Sequence, residues 1–248
     1  VRSSNNFGFI GEKPTHPDLL NWLANELIAG GWKLKRMHKL IMMSNTYRMS
    51  SSGGETALAR DPNNDLMWRH DMRRLSAEEI RDSILNVTGQ LNLKMGGPSI
   101  YTEVPRDVLA TASRPGAAWG KSSEEDRNRR SVYIFVKRSL HEPFLSAFDW
   151  ADTDNTCDVR FVTTVPTQTL TLLNSKFLND SAESLANRLV KAAPGDARAQ
   201  VTAALQLTTN RKPTAVEVDD GLELIQSLKA KTELDENLAM QRFCLLAL

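Results

Sequence analysis

Apolar residues spaced three and four apart recur along most of this chain, a pattern that folds chiefly as packed amphipathic helices. The first such run is Leu19, Leu20, Leu23, Leu27 and Ile28, and its start and stop are written beside it. Thr15 supplies a capping hydroxyl, Pro17 suits a first helical turn, and Asp18 favours the positive end of the helix dipole. Gly30 and Gly31 end the pattern. A second helix is predicted over 33–47, with Leu34, Met37, Leu40, Ile41 and Tyr47 inward and Lys33, Lys35, Arg36 and Lys39 on the wet face. The two form a helical hairpin on a short loop.

Two capping boxes mark later starts. Ser76 and Glu79 stand three apart ahead of Ile80, Ile84, Val87 and Leu91, and Thr214 with Glu217 opens a helix running to about Lys229. Further helices are predicted near 166–174, 176–193, 197–207 and 234–248. The lone strand signal is 131–136, where Val132, Tyr133, Ile134, Phe135 and Val136 make a β-branched and aromatic run. The expected fold is therefore mainly α, a multi-helix array with one or a few short strands. A single helical domain over 1–248 is expected, with any subdivision near residue 155. The chain opens on Val1 and stops within the apolar pattern Leu238, Met240, Phe243, Cys244 and Leu245, so truncation at both ends is expected.

Composition narrows the function classes. A 41% hydrophobic and 25% charged chain folds as a globular protein rather than staying disordered. Its 31 basic and 30 acidic residues leave a net charge of +1, which gives no electrostatic drive toward nucleic acid. No apolar run approaches the ~20 residues that span a bilayer. Cys157 and Cys244 lie far apart, so two free thiols are expected rather than a disulfide framework or zinc site. His16, His38, His70 and His141 fall in no metal-binding spacing. Phosphate-loop, nucleophile-elbow and dinucleotide fingerprints are absent. So is Cys-x-x-Cys-His, and this segment therefore holds no covalently attached c-type haem.

Three stretches carry candidate chemistry. Asp149, Asp152, Asp154 and Asp158 follow the aromatics Phe144, Phe148 and Trp150. Asp149 and Asp152 suit a glycosidase-like acid/base pair with rings to stack on sugars; the plainer reading is a polar loop after a short helix whose aromatics are core. Arg73 and Arg74, with Arg129 and Arg130, offer forked guanidinium groups for an anionic ligand, although Glu124, Glu125 and Asp126 stand nearby as partners. The aperiodic stretch 96–130, rich in Gly and Pro including Pro115 and Gly116, has the length of a functional loop.

Taken in order, several segments resemble a known family. They include Thr15-His16-Pro17-Asp18-Leu19-Leu20-Asn21-Trp22-Leu23-Ala24, Gly31-Trp32-Lys33-Leu34-Lys35 and Ser44-Asn45-Thr46-Tyr47-Arg48. Arg73-Arg74-Leu75-Ser76-Ala77-Glu78-Glu79-Ile80, Met95-Gly96-Gly97-Pro98-Ser99, Arg129-Arg130-Ser131-Val132-Tyr133 and Thr163-Thr164-Val165-Pro166-Thr167-Gln168 follow. Together they resemble the planctomycete domain of unknown function 1553, the C-terminal partner in proteins that often carry a cytochrome-c-like domain upstream. The resemblance implies an extracytoplasmic bacterial protein of the periplasm or cell envelope. In it this module packs against an upstream domain of the same chain, and haem c belongs to the missing upstream part. It supplies no catalytic residues. The expected function is an accessory or ligand-binding module of a cell-envelope protein associated with c-type cytochrome redox chemistry, with polysaccharide as a ligand. The alternative is an enzyme acting on polysaccharide or its sulfated form.

Overall fold

Helices α1 (Pro17–Ala29) and α2 (Leu34–Met42) form the hairpin that the apolar spacing predicts. In the computed structural model, which describes residues 3, 6, 8–112, 119–154, 157, 159–232 and 234–248, they belong to the first of two compact units. The units are Val1–Arg74 and Leu75–Leu248, and the expected subdivision near residue 155 falls inside the second.

The first unit departs from its sequence pattern in two ways. His16, not Thr15, occupies the N-cap of α1, and its side chain makes no capping hydrogen bond; the Thr15 hydroxyl lies 3.0 Å from His16 Nδ1 instead. The stop is as expected, with Gly31 in the left-handed region at φ 68° and Trp32 N–H donating to the Leu27 carbonyl. The apolar stripe, however, is not buried. Among the described residues of this unit only Met37 and Asp61 are buried, while Leu19, Leu20, Trp22, Ile28, Leu34 and Ile41 are exposed. Two short helices bury only the strip between them, and the unit's third helix, α3 (Glu55–Arg60), buries no residue. Arg36 ties the hairpin, donating to the Glu26 carbonyl and pairing with its carboxylate at 2.5 Å. The carboxylate of buried Asp61 accepts from the Asp65 and Leu66 amides and shapes the following turn.

The second unit has a proper core. Its helices are α4 (Ala77–Thr88), α5 (Arg106–Ala110), α6 (Glu124–Arg127), α7 (Pro143–Ala147), α8 (Pro166–Asn174), α9 (Lys176–Ala192), α10 (Ala197–Thr209), α11 (Ala215–Thr232) and α12 (Glu236–Ala247). Both capping boxes form. Ser76 Oγ accepts from Glu79 N–H while Glu79 returns to Ser76 N–H, and Thr214 and Glu217 do the same. Arg211, pairing with Glu217, and the Thr214 donors hold that carboxyl down at about 2. The long helix α9 packs against α4, α10 and α12, and its Leu178, Ala182, Leu185 and Leu189 share one buried core with Phe243 and Leu145. The described residues are 54% helical and 2% strand, a mainly α fold.

The predicted strand is corrected. Ser131–Tyr133 is a 3-10 turn, and only Ile134 makes an isolated parallel bridge, to Ile100. β-Branched side chains fit a strand but do not supply its partner, and here Asp82 of α4 captures the Ser131 amide at 2.8 Å and its hydroxyl at 2.7 Å. The chain is thereby turned before a ladder starts.

Gly221 lies inside α11, where glycine ordinarily costs helix stability. A Cβ there would stand 2.8 Å from Val201 Cγ1 of α10 and 3.0 Å from Phe243 Cε2 of α12. Gly221→Ala should therefore destabilise by about 1–2 kcal/mol, because overpacking outweighs the gain in helix propensity. Urea unfolding checks this, and a stabilised variant would show that the three helices have room to separate.

Candidate functional site

The inward face of α4 carries a charge. Ala77, Arg81, Ile84, Leu85 and Thr88 are its buried positions, so Arg81 sits at core phase with 4% exposure. Its guanidinium Nη1 donates to the Arg129 carbonyl at 3.1 Å and to Ser131 Oγ at 3.2 Å, while Nη2 donates to the Arg127 carbonyl at 2.5 Å. It also lies 5.4 Å from the centre of the Phe177 ring. Arg81 and Asp82 thus grip segment 127–131 from adjacent positions of one helix.

Glu142 is the second buried charge, 5% exposed, at the N-cap of α7. Its Oε2 accepts from the Leu145 amide at 2.6 Å and its Oε1 from the Thr102 hydroxyl at 3.4 Å. Burial pushes the Glu142 carboxyl above its ordinary value and the Arg81 guanidinium below its own, and attraction between the two offsets burial only in part.

Both groups face one cavity of about 640 Å³. The volume lies within the ~300–1,000 Å³ of small-molecule sites. Its apolar wall comes from Leu85, Pro143, Phe144, Leu170 and Phe177. The aperiodic loop 96–130 contributes Thr102, Glu103, Pro105, Glu124, Arg127 and Asn128. This part of the loop is held in place: Trp119 Nε1 donates to the Thr102 carbonyl at 2.9 Å, and Tyr101 packs against Trp119 and Phe135. Thr167, Thr171 and Asn174 of α8 also line it, followed by Ser175, Lys176 and Asp180 at the start of α9. Glu103 bridges the rim, pairing with Arg127 at 2.9 Å and with Lys176 at 3.5 Å; Lys176 also pairs with Asp180.

The residues singled out from sequence lie elsewhere. Asp149 and Asp152 do not line this cavity. Asp149, at φ 59°, accepts from the Thr163 amide and hydroxyl, and Asp152 accepts from the Asp154 amide. Asp154 pairs with Arg138 at 2.7 Å, and Asp158 lies outside the described residues. Phe144 and Phe148 are core, at 6% and 4% exposure, as the plainer reading has it. Arg129 is 1% exposed and stacks 4.0 Å above the Tyr133 ring. Its guanidinium donates to the carbonyls of Lys94, Gly96 and Pro98, which commits it to the loop rather than to a ligand. Arg130 is exposed and 3.9 Å from Asp82. Arg73 and Arg74 belong to the first unit, where Arg73 donates to the Arg74 carbonyl. Pro115 and Gly116 of the long loop are outside the described residues.

Sequence reasoning passed over Arg81, Glu103, Glu142, Lys176 and Asp180. Arg81 had a signal, an arginine falling i+4 from Ala77 and i−4 from Leu85 on the inner face of a well-capped helix. Glu142 had a weaker one, a carboxylate directly ahead of Pro143, which suits a first helical turn.

The raised Glu142 carboxyl has a pH consequence. The folded chain binds that proton more tightly than the unfolded chain, so the stabilisation is complete in acid and is lost as pH rises through the folded value. Wild type should lose stability relative to Glu142→Gln between acidic and neutral pH, read as the difference between paired urea titrations. Parallel profiles would mean that Glu142 titrates as an ordinary carboxyl.

Both cysteines are free, Cys157 exposed and Cys244 buried, with burial pushing the Cys244 thiol up to about 12. Ellman's reagent should therefore titrate one thiol quickly in the native chain and both in urea. Fast reaction of both in the native chain would mean that α12 opens readily. Among the described residues no three His, Cys, Asp or Glu side chains gather as ligands for a metal ion, and no helix is long and apolar enough to cross a membrane.

The family described as "Protein of unknown function (DUF1553)" has a sequence model that matches residues 1–225. No curated protein and no solved structure matches the chain.

Proposed function

We propose that this chain, which belongs to the DUF1553 family, is an accessory ligand-binding module of a bacterial cell-envelope protein. Its ligand occupies the cavity of the second unit. The observation that carries this reading is a cavity of about 640 Å³ walled by two buried charged groups, Arg81 and Glu142. Buried charges are costly to keep, and a concave site holding convergent polar groups on apolar walls is where small ligands bind. Thr171→Trp fills the cavity from α8. A fragment library screened by saturation-transfer NMR should give hits that this variant removes, provided its thermal melt matches wild type. Hits that survive the substitution would place binding elsewhere and sink the reading.

The link to c-type cytochrome chemistry, and with it the extracytoplasmic, planctomycete setting, rests on the segment resemblances. In the intact parent protein the expected result is a haem absorption band that shifts on dithionite reduction. A featureless spectrum would detach the module from redox chemistry.

One observation favours an enzyme acting on polysaccharide. A buried carboxyl with raised proton affinity facing a cavity is the form a general acid takes. On that reading Glu142, rather than Asp149 or Asp152, supplies the proton, and Glu142→Gln would abolish release of new reducing ends while leaving saccharide binding intact.

A further inference from the structure

We infer that the cavity takes an uncharged, hydroxyl-rich ligand, a short segment of neutral glycan, in preference to a sulfated, phosphorylated or carboxylated one. This rests on the ligand-binding reading above and names its ligand class. The lining cations are Arg81, Arg127 and Lys176, and each is already answered. Arg81 donates to two backbone carbonyls and the Ser131 hydroxyl, Arg127 pairs with Glu103, and Lys176 pairs with Glu103 and Asp180. Against these three stand the lining carboxylates Glu103, Glu124 and Asp180, beside the buried Glu142 carboxyl. An anion entering the site would meet no excess of positive charge and would have to break an existing pair to gain one.

What remains for a ligand is neutral. Asn128, at the end of α6, and Thr167 and Asn174 of α8 line the cavity and make no side-chain hydrogen bond among the described residues. Gln90 also lines the cavity, its side-chain amide 3.1 Å from the Thr88 hydroxyl. Amide and hydroxyl groups each donate or accept, as sugar hydroxyls do. They stand beside the apolar surface of Leu170, Pro143 and Phe177, which suits the C–H face of a pyranose. The cavity volume admits a short oligosaccharide rather than a single small ion.

The test uses the 248-residue chain, its Thr171→Trp and Asn174→Ala variants, and two sets of probes. The neutral set is cello-, malto-, xylo-, manno- and chito-oligosaccharides. The charged set is inorganic sulfate, heparin oligosaccharides and oligogalacturonate. Calorimetry should find at least one neutral oligosaccharide binding with a sub-millimolar Kd, weakened tenfold or more by Thr171→Trp and about tenfold by Asn174→Ala. Added salt should change that affinity less than twofold. Charged probes binding more tightly than every neutral one, at a site Thr171→Trp closes, would overturn the inference and leave the ligand-binding reading standing. So would failure of every glycan while neutral fragments still bind the cavity. Loss of cavity binding for fragments and glycans alike would overturn both.

Discussion

Replacing Arg81 with methionine is expected to destabilise the second unit by roughly 3–5 kcal/mol, the loss that follows when one member of a buried charged constellation is removed. Methionine approximates the length of the arginine stem, so little of the effect comes from a cavity. The loss comes from polar groups left behind. The Arg127 and Arg129 carbonyls and the Ser131 hydroxyl lose a charged donor, and Glu142 keeps the Leu145 amide but loses the attraction of a cation that helps offset its burial. Unsatisfied buried acceptors cost about 1–3 kcal/mol each, which accounts for the size of the effect. At about 2–4 °C per kcal/mol for a unit of this length, the melting temperature should fall by on the order of 10 °C. A drop under about 1 kcal/mol would show that water reaches these carbonyls once the arginine is gone.

Arg129→Lys should cost about 3 kcal/mol although it keeps the charge. Three nitrogens of one planar fork reach the Lys94, Gly96 and Pro98 carbonyls, and the plane stacks on Tyr133. An ammonium is a point donor on a flexible stem and cannot serve three carbonyls spread along a loop while lying flat on a ring. Loop 94–98 should open, seen as faster amide exchange there, and unfolding in urea should move to lower denaturant. Lysine tolerated within about 0.5 kcal/mol would mean that the loop does not depend on the fork.

These two arginines mark where sequence reading succeeds and where it stops. Helix positions were legible because caps and apolar spacing are local: Ser76 with Glu79 and Thr214 with Glu217 form the predicted boxes, and Pro166–Asn174 is helical as read. Partnership is not local. The run Val132 to Val136 has strand chemistry, but whether it finds a ladder depends on Asp82, which lies 49 residues from Ser131 and takes its amide. The apolar stripe of α1 likewise fixes a helix without fixing what covers it. Arg129 reads as an anion clamp because it stands beside Arg130 at the edge of a predicted strand, and only the fold reveals that its neighbours in space are carbonyls. The cavity itself draws on α4, α6, α7, α8, α9 and the long loop, so no single stretch announces it. An arginine at core phase in α4 was the clearer of its two local signs, beside a glutamate directly ahead of Pro143.

Hydrogen–deuterium exchange on the intact protein, with and without a mixture of neutral oligosaccharides, tests the central claim most directly. The cavity should gain protection in three separated stretches, 100–105, 124–128 and 166–181, while α10 to α12 stay unchanged. Protection confined to α10–α12 or to the first unit, with those three stretches unaltered, would place the ligand elsewhere and contradict the assignment of the site.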